Sequence, residues 1–348
     1  MTTHTWPDLL TELVAGHDLG TSGTAWAMEE ILSGEATPAQ ISAFAVALRA
    51  KGETFAELQG LVSAMLSRAT LLEVPGRVLD IVGTGGDRAK TVNISSMSAV
   101  TAAGAGVRVV KHGNRAASSA SGTADVFEVL GIRLDVAADH IVEVLERAGI
   151  TFCFAPLFHP SFRHTGPVRR EIGIATTFNF LGPLVNPAQP QASAIGCADA
   201  RMAPLMAQVF AARGHDAIVF RGDDGLDEIT TSTTTRAWRV RRGEVVESVI
   251  DPAELGLSYS APDALRGGEP AFNADVFGRV VDGEQGPVRD AVLLNAGAAL
   301  AAHEGDVEDL DQALVAGMRR AAESIDSGAA REVLAAWSAA TQALAPPR

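Results

Sequence analysis

The sequence predicts an α/β protein, with a small N-terminal helical domain and a larger α/β domain whose mostly parallel central sheet is flanked by helices. Three observations carry this reading. At roughly 150 residues per domain, a chain of 348 residues has room for two. The first seventy residues carry helix starts and helical apolar spacing throughout. From Pro75-Gly76 onward, short β-branched runs bounded by glycine alternate with helical stretches, and that alternation requires parallel pairing.

Taken in order, Thr37-Pro38-Ala39-Gln40 combines a capping box with proline at the first helical position. Ile41, Phe44 and Leu48 follow on one face, and Thr54-Phe55-Ala56-Glu57 opens a second helix striped by Leu58, Leu61, Val62 and Met65. Such hairpins need a partner surface, either the rest of the chain or a second copy. The helical domain is expected over 1–74, with helices near 165–185 packing on it, and the α/β domain over 75–348. Val78–Val82 reads as the first strand, Ile94–Ala105 as a helix and Val107–Val110 as the next strand. Ser193–Cys197, a helix over Met202–Ala212 and Asp216–Phe220 continue the alternation. Arg236–Val249 reads as a hairpin around Arg242-Gly243, and helices close the chain from Asp309.

Composition excludes several function classes. Twenty-eight basic against forty-two acidic residues leave a formal charge of −14, and an acidic field repels phosphate backbones, which argues against nucleic acid as a main partner. Cys153 and Cys197 stand alone in apolar surroundings, giving neither a disulfide framework nor a zinc ligand set. No secretory signal opens the chain, and the apolar run 291–302 is too short to span a bilayer and is broken by Asn295. The expectation is a reduced, soluble, cytoplasmic protein.

The sharpest motif is Asp80-Ile81-Val82-Gly83-Thr84-Gly85-Gly86-Asp87, a glycine-rich turn leaving a strand. Such a turn lets backbone N–H groups approach an anion, but it is neither a P-loop nor a G-x-G-x-x-G fingerprint. Lys90-Thr91-Val92-Asn93-Ile94-Ser95-Ser96 then sets a cation and small polar groups at the next helix start, where phosphate is favoured. Capping by Asn93 or Ser95 is the plain alternative, although it leaves Lys90 unexplained. The second strand runs into Lys111-His112-Gly113-Asn114-Arg115-Ala116-Ala117-Ser118-Ser119, a loop that parallel pairing sets beside the first. Together they suggest a pocket for a polyanionic small molecule. Asp227 and Glu228 follow a further glycine-rich turn, but on local grounds Asp223 and Asp224 compete with them for a magnesium role. Arg169 suits a planar carboxylate, or an ordinary ion pair as Arg170 does. His159 and His164 lack the companions of a first-row metal site, and no Ser/His/Asp signature is present.

GTGGD, NISS, KHGNRAASS and SGTAD resemble, in order and spacing, the anthranilate phosphoribosyltransferase family. The resemblance runs on through residues 154–187, 225–231 and 290–300. It implies transfer of the phosphoribosyl group of phosphoribosyl pyrophosphate to the amine of anthranilate, in tryptophan biosynthesis. By the same resemblance Gly83, Gly86, Asp87, Thr91, Asn93, Ile94, Ser95 and Ser96 hold phosphoribosyl pyrophosphate, as do Lys111, His112, Gly113, Asn114, Arg115, Ala116, Ala117, Ser118, Ser119 and Thr123. Gly83, Asn114 and Arg169, with His112, His159 and Phe162 nearby, match the anthranilate positions. Ser95, Asp227 and Glu228 match ligands of Mg2+, two ions per site. Lys111, Asp227 and Glu228 are the implied electrostatic catalysts, with no general base, and the family implies a homodimer through the N-terminal helices. Ser96, Thr123 and Ala120 depart from the usual threonine, serine and lysine. Pyrimidine nucleoside phosphorylases share the architecture but carry KHSGR where this chain has Lys111–Arg115. A nucleic-acid-binding relative would tolerate loss of GTGGD and of the Asp-Glu pair, both intact here.

Overall fold

The computed structural model describes residues 4–115, 121–261, 263–305 and 309–347. Ala116, Ala117, Ser118, Ser119 and Ala120 lie outside the described residues.

Four helices open the chain, Trp6–Val14, Gly20–Ser33, Pro38–Lys51 and Phe55–Ser67. Both capping boxes form: Thr37 and Thr54 each accept from the backbone three residues on, and Gln40 and Glu57 reach back. Phe44 and Leu48 are fully buried within the single chain. The apolar face expected to seek a partner therefore finds one in the chain's own core, and the exposed apolar residues of these helices are instead Val14 and Val46.

Seven strands follow: β1 (Leu79–Gly83), β2 (Val109–Gly113), β3 (Ile150–Phe154), β4 (Ala192–Gly196), β5 (Asp216–Gly222), β6 (Thr235–Arg241) and β7 (Glu244–Ile250). They form one sheet in the order β3-β2-β1-β4-β5-β6-β7. The first five pair in parallel, and β6 and β7 add the antiparallel hairpin. β2 runs further than its valines suggest, because pairing of Lys111 with Phe152 and His112 with Cys153 continues the ladder. Lys111 and His112 are therefore strand residues, not loop residues. β3 carries no sequence punctuation at its far end; the helix Ala138–Ala148 delivers it through the left-handed Gly149.

Side chains alternate across the sheet. On β5, Ile218 and Phe220 enter one hydrophobic core while Ala217 and Val219 enter the other. The first core joins the helices Ile94–Gly104 and Pro287–Glu304 to one sheet face. The second joins the N-terminal helices to Val168, Phe178, Phe180 and Leu181 and to the helix Met202–Ala212 on the opposite face. Among the described residues no helix is long and apolar enough to cross a membrane.

Candidate active site

In the sheet order, connections leave β1 toward β2 and β3 on one side, and β4 and β5 lie on the other. The crevice beyond the carboxyl ends of β1 and β4 is thus the topological switch point, where open α/β sheets bind ligands. Gly83 and Gly196, the last residues of these strands, are paired in register. Asp227 fills the gap between them. A Cβ on Gly83 would sit 2.1 Å from Asp227 Oδ2, and one on Gly196 would sit 1.7 Å from the Asp227 carbonyl oxygen. Only glycine leaves room for Asp227 at both positions, for its carboxylate beside Gly83 and for its backbone beside Gly196.

Asp227 Oδ2 accepts from the Gly85 N–H at 2.7 Å, and Glu228 Oε1 accepts from the Ser95 N–H at 3.2 Å. The turn after β5 is thereby tied to the glycine-rich loop and to the start of the helix Ile94–Gly104. The competing acids are spent elsewhere: Asp224 accepts from Thr230 Oγ1 and Asp223 from Thr234 Oγ1. Behind the pair, Asn295 of the helix Pro287–Glu304 accepts from Ile229 N–H and donates to Ile229 C=O, each at 2.9 Å. The asparagine that interrupts the apolar run at 291–302 thus pins the backbone next to Glu228.

Lys111 is fully buried and donates to the Ile81 carbonyl and, at 3.3 Å, to Ser95 Oγ. Burial pulls its pKa down to about 8 against the pull of Asp80, Glu228 and Asp227. Desolvation, with Asp87 alongside, pushes Asp227 up to about 7, and Glu228 is raised in the same way with Asp227 as neighbour. Two crowded carboxylates with one lysine between them lack positive charge. Among the described residues no group of three or more His, Cys, Asp or Glu side chains forms a cage, but magnesium takes one or two carboxylates and leaves its other positions to water and phosphate. The donor set and its charge deficit fit that ion.

Beneath Lys111 lies Asp80, fully buried on β1. Its Oδ1 accepts from His112 N–H at 3.1 Å and its Oδ2 from Asn186 Nδ2 at 2.9 Å, locking β1 to β2. Burial raises Asp80 to about 6 despite Lys111.

A second group of predicted residues is aromatic and imidazole. His112 and His159 stand 5.2 Å apart, ring centre to ring centre. Burial, with His159 adding to it, drives His112 down to about 3, and burial lowers His159 too, so both rings are neutral. A neutral His112 donates from Nδ1 to Gly182 C=O at 3.0 Å, which leaves Nε2 an acceptor, buried and without a hydrogen-bond partner among the described residues. Arg169 lies over the Phe162 ring at 5.7 Å, and Phe162 meets Phe178 edge-on. No ion pair or hydrogen bond holds Arg169 among the described residues, and unopposed desolvation lowers its pKa.

The remaining predicted residues divide. Gly86, Asp87 and Thr91 rim the glycine-rich loop; Gly113 ends β2, and Ser96 donates to Thr123 Oγ1 at 3.4 Å. The Ile94 side chain is in the first core, so only its backbone faces the site. Asn114 Oδ1 accepts from the Arg115 N–H, and Arg115 directs its guanidinium to Asp125 and Glu128. Asp80, Asn186 and Asn295 had no assigned role on sequence grounds; the available signal was a polar residue inside an apolar run.

Residues 7–69 match the family described as "Glycosyl transferase family, helical bundle domain", and residues 75–331 match "Glycosyl transferase family, a/b domain". The chain is 64% identical to the anthranilate phosphoribosyltransferase of Nocardioides sp., over 97% of this chain and 99% of that one. It is 58% identical to that of Streptomyces griseus, over 97% and 96%. The crystal structure of anthranilate phosphoribosyltransferase from Thermus thermophilus superposes with a TM-score of 0.89 at 37% identity, covering 96% of this chain and 99% of that one. The Saccharomyces cerevisiae enzyme in complex with PRPP and Mg superposes at 0.88 with 26% identity, covering 97% and 98%.

Proposed function

The chain belongs to the anthranilate phosphoribosyltransferase family, and we propose from that premise how its own residues divide the work. The enzyme transfers the phosphoribosyl group of phosphoribosyl pyrophosphate to the amine of anthranilate, releasing pyrophosphate, and uses Mg2+. The observation that carries the division is the carboxylate pair and buried lysine gathered at the carboxyl ends of β1 and β4; Arg169, half-buried and without an ion-pair partner among the described residues, is the charge left over for the acceptor.

Ser95, Asp227 and Glu228 would hold the metal, two ions per site, which when bound neutralises charge on the departing pyrophosphate. Gly83, Gly86, Asp87, Thr91 and Asn93 to Ser96 offer N–H, hydroxyl and amide donors to the phosphates at a helix start. Lys111 adds fixed positive charge where the leaving oxygens develop negative charge. Lys111, His112, Gly113, Asn114, Arg115 and Thr123 complete the donor side, and Ala116 to Ser119 belong to the same proposal. Arg169 grips the anthranilate carboxylate with its planar fork, while Phe162, His159 and His112 flank the ring. The aromatic amine needs no base to be nucleophilic; holding it in line with the ribose carbon supplies the rate. Intact Asp227 and Glu228, and Asn114 within Lys111–Arg115, disfavour the phosphorylase and nucleic-acid readings.

We further propose a division into 1–74 and 75–348 and a cytoplasmic homodimer through the N-terminal helices. Exposed Val14 and Val46 and the two free, buried cysteines are the supporting observations. Anthranilate fluorescence should fall only when phosphoribosyl pyrophosphate and magnesium are both added; loss of signal without the phosphoribosyl donor would reject the transfer. Light scattering that finds only a 36.2 kDa species would reject the dimer.

A further inference from the structure

Asn93 stands at the start of the helix Ile94–Gly104, yet its side chain makes no capping hydrogen bond. Its Oδ1 instead accepts from Asn273 Nδ2 at 2.8 Å, and Asn273 lies on a different helix, Pro270–Val281. Asn273 is 2% exposed, and its own Oδ1 accepts from the Gly268 N–H at 2.8 Å. A backbone N–H can only donate, so the oxygen of Asn273 must face Gly268 and its NH2 must face Asn93. It follows that the oxygen of Asn93 faces Asn273, and what Asn93 has left is a pair of N–H donors. Among the described residues nothing accepts from them.

The surrounding backbone holds this relay in place. Gly267 N–H donates to the Lys90 carbonyl at 2.8 Å and Val92 N–H to the Leu265 carbonyl at 2.9 Å. Thr91 and Arg266 form the antiparallel bridge between them. The segment just before Asn273 is therefore stitched to the segment just before Asn93.

We propose that Asn273 is a positioning residue that fixes the Asn93 amide with its donors toward the phosphoribosyl pyrophosphate and excludes the opposite rotamer. This rests on the reading that Asn93 meets that substrate. Phosphate oxygens only accept hydrogen bonds, so an amide turned donor-out binds them and one turned oxygen-out repels them. The relay makes the choice before substrate arrives, so no ordering is left for binding to supply.

The test is a double-mutant cycle on the whole enzyme, with each substrate varied in turn. An aspartate at 273 still accepts from Gly268, but its second oxygen faces Asn93 and forces that amide to turn round. Asn273→Asp is expected to raise KM for phosphoribosyl pyrophosphate about tenfold or more while KM for anthranilate holds. Asn273→Ser frees the amide without inverting it and should give a smaller rise. In an Asn93→Ala background neither substitution should raise KM further. If Asn93→Ala raises KM and Asn273→Asp does not, or if Asn273→Asp acts as strongly without Asn93, the relay is refuted while the site stands. If Asn93→Ala itself leaves KM unchanged, the reading of Asn93 fails and the relay with it. Should Asn273→Asp not fold, Asn273→Ser in the same two backgrounds decides the matter.

Discussion

Removing the Arg169 charge should weaken one substrate and cost the fold nothing. Arg169 has no ion-pair partner among the described residues, and burial alone lowers its pKa. It is thus a charge the folded chain holds at some desolvation cost, offset among the described residues by its stacking over Phe162 at 5.7 Å. Arg169→Met keeps an apolar stem against that ring and removes the charge. A two-pronged, charge-assisted contact to the anthranilate carboxylate is worth about 1.5–3 kcal/mol, or roughly ten- to a hundredfold in KM. KM for anthranilate should rise by that factor while KM for phosphoribosyl pyrophosphate stays put and the melting temperature holds or climbs. Arg169→Lys should recover only part of the loss, because an ammonium lacks the fork. Anthranilate fluorescence kinetics and a melting curve measure both. Equal damage to the two substrates, with a lowered melting point, would refute acceptor recognition by Arg169.

Three further outcomes follow from the buried polar groups. Asp227→Asn with Glu228→Gln should abolish turnover yet raise the metal-free melting point, by about 1–2 °C per kcal/mol of desolvation relieved; calorimetry with and without magnesium checks it. Asp80 shifts from 3.8 to about 6, and a carboxyl raised on folding contributes stability below its unfolded pKa that is lost as pH rises through the folded one. At 1.36 kcal/mol per unit, the enzyme should lose about 3 kcal/mol through Asp80 between pH 4 and 6, and Asp80→Asn should flatten that limb in urea titrations. Asn295→Leu strands the Ile229 N–H and C=O, at about 1–3 kcal/mol each, so the urea midpoint should drop and the magnesium requirement should climb.

The strand–turn–helix order and the phosphate-facing loop were legible because they obey local rules: Gly83 to Asp87 must turn, and Thr37 and Thr54 must cap. The choice of Asp227 over Asp223 was not local. It depends on Gly83 and Gly196, from strands far apart in the chain, leaving a gap that Asp227 occupies with its carboxylate beside one and its backbone beside the other. Likewise the ion pairs of Arg115 with Asp125 and Glu128 follow no local rule and emerge only with the fold. Asp80, Asn186, Asn273 and Asn295 look like flaws in apolar stretches, and each is a cross-link between segments that sequence distance conceals. β3 was hidden for a different reason: five residues between a helix and Ala155-Pro156 carry no period long enough to read.

The same strand order has a consequence in time. Leu79 pairs with Val109 on one side but with Ala192 on the other. The near pairing closes a short loop, the far one a long loop, and long closures are slow. The berth of Asp227 exists only once β4 has docked beside β1 and the turn after β5 has followed it. A ribosome delivers the N-terminal helices, the glycine-rich loop and Lys111 well before that. Synthesis therefore supplies three of the seven strands while the catalytic crevice still has one wall, and that wall gains its partner only when β4 and β5 follow.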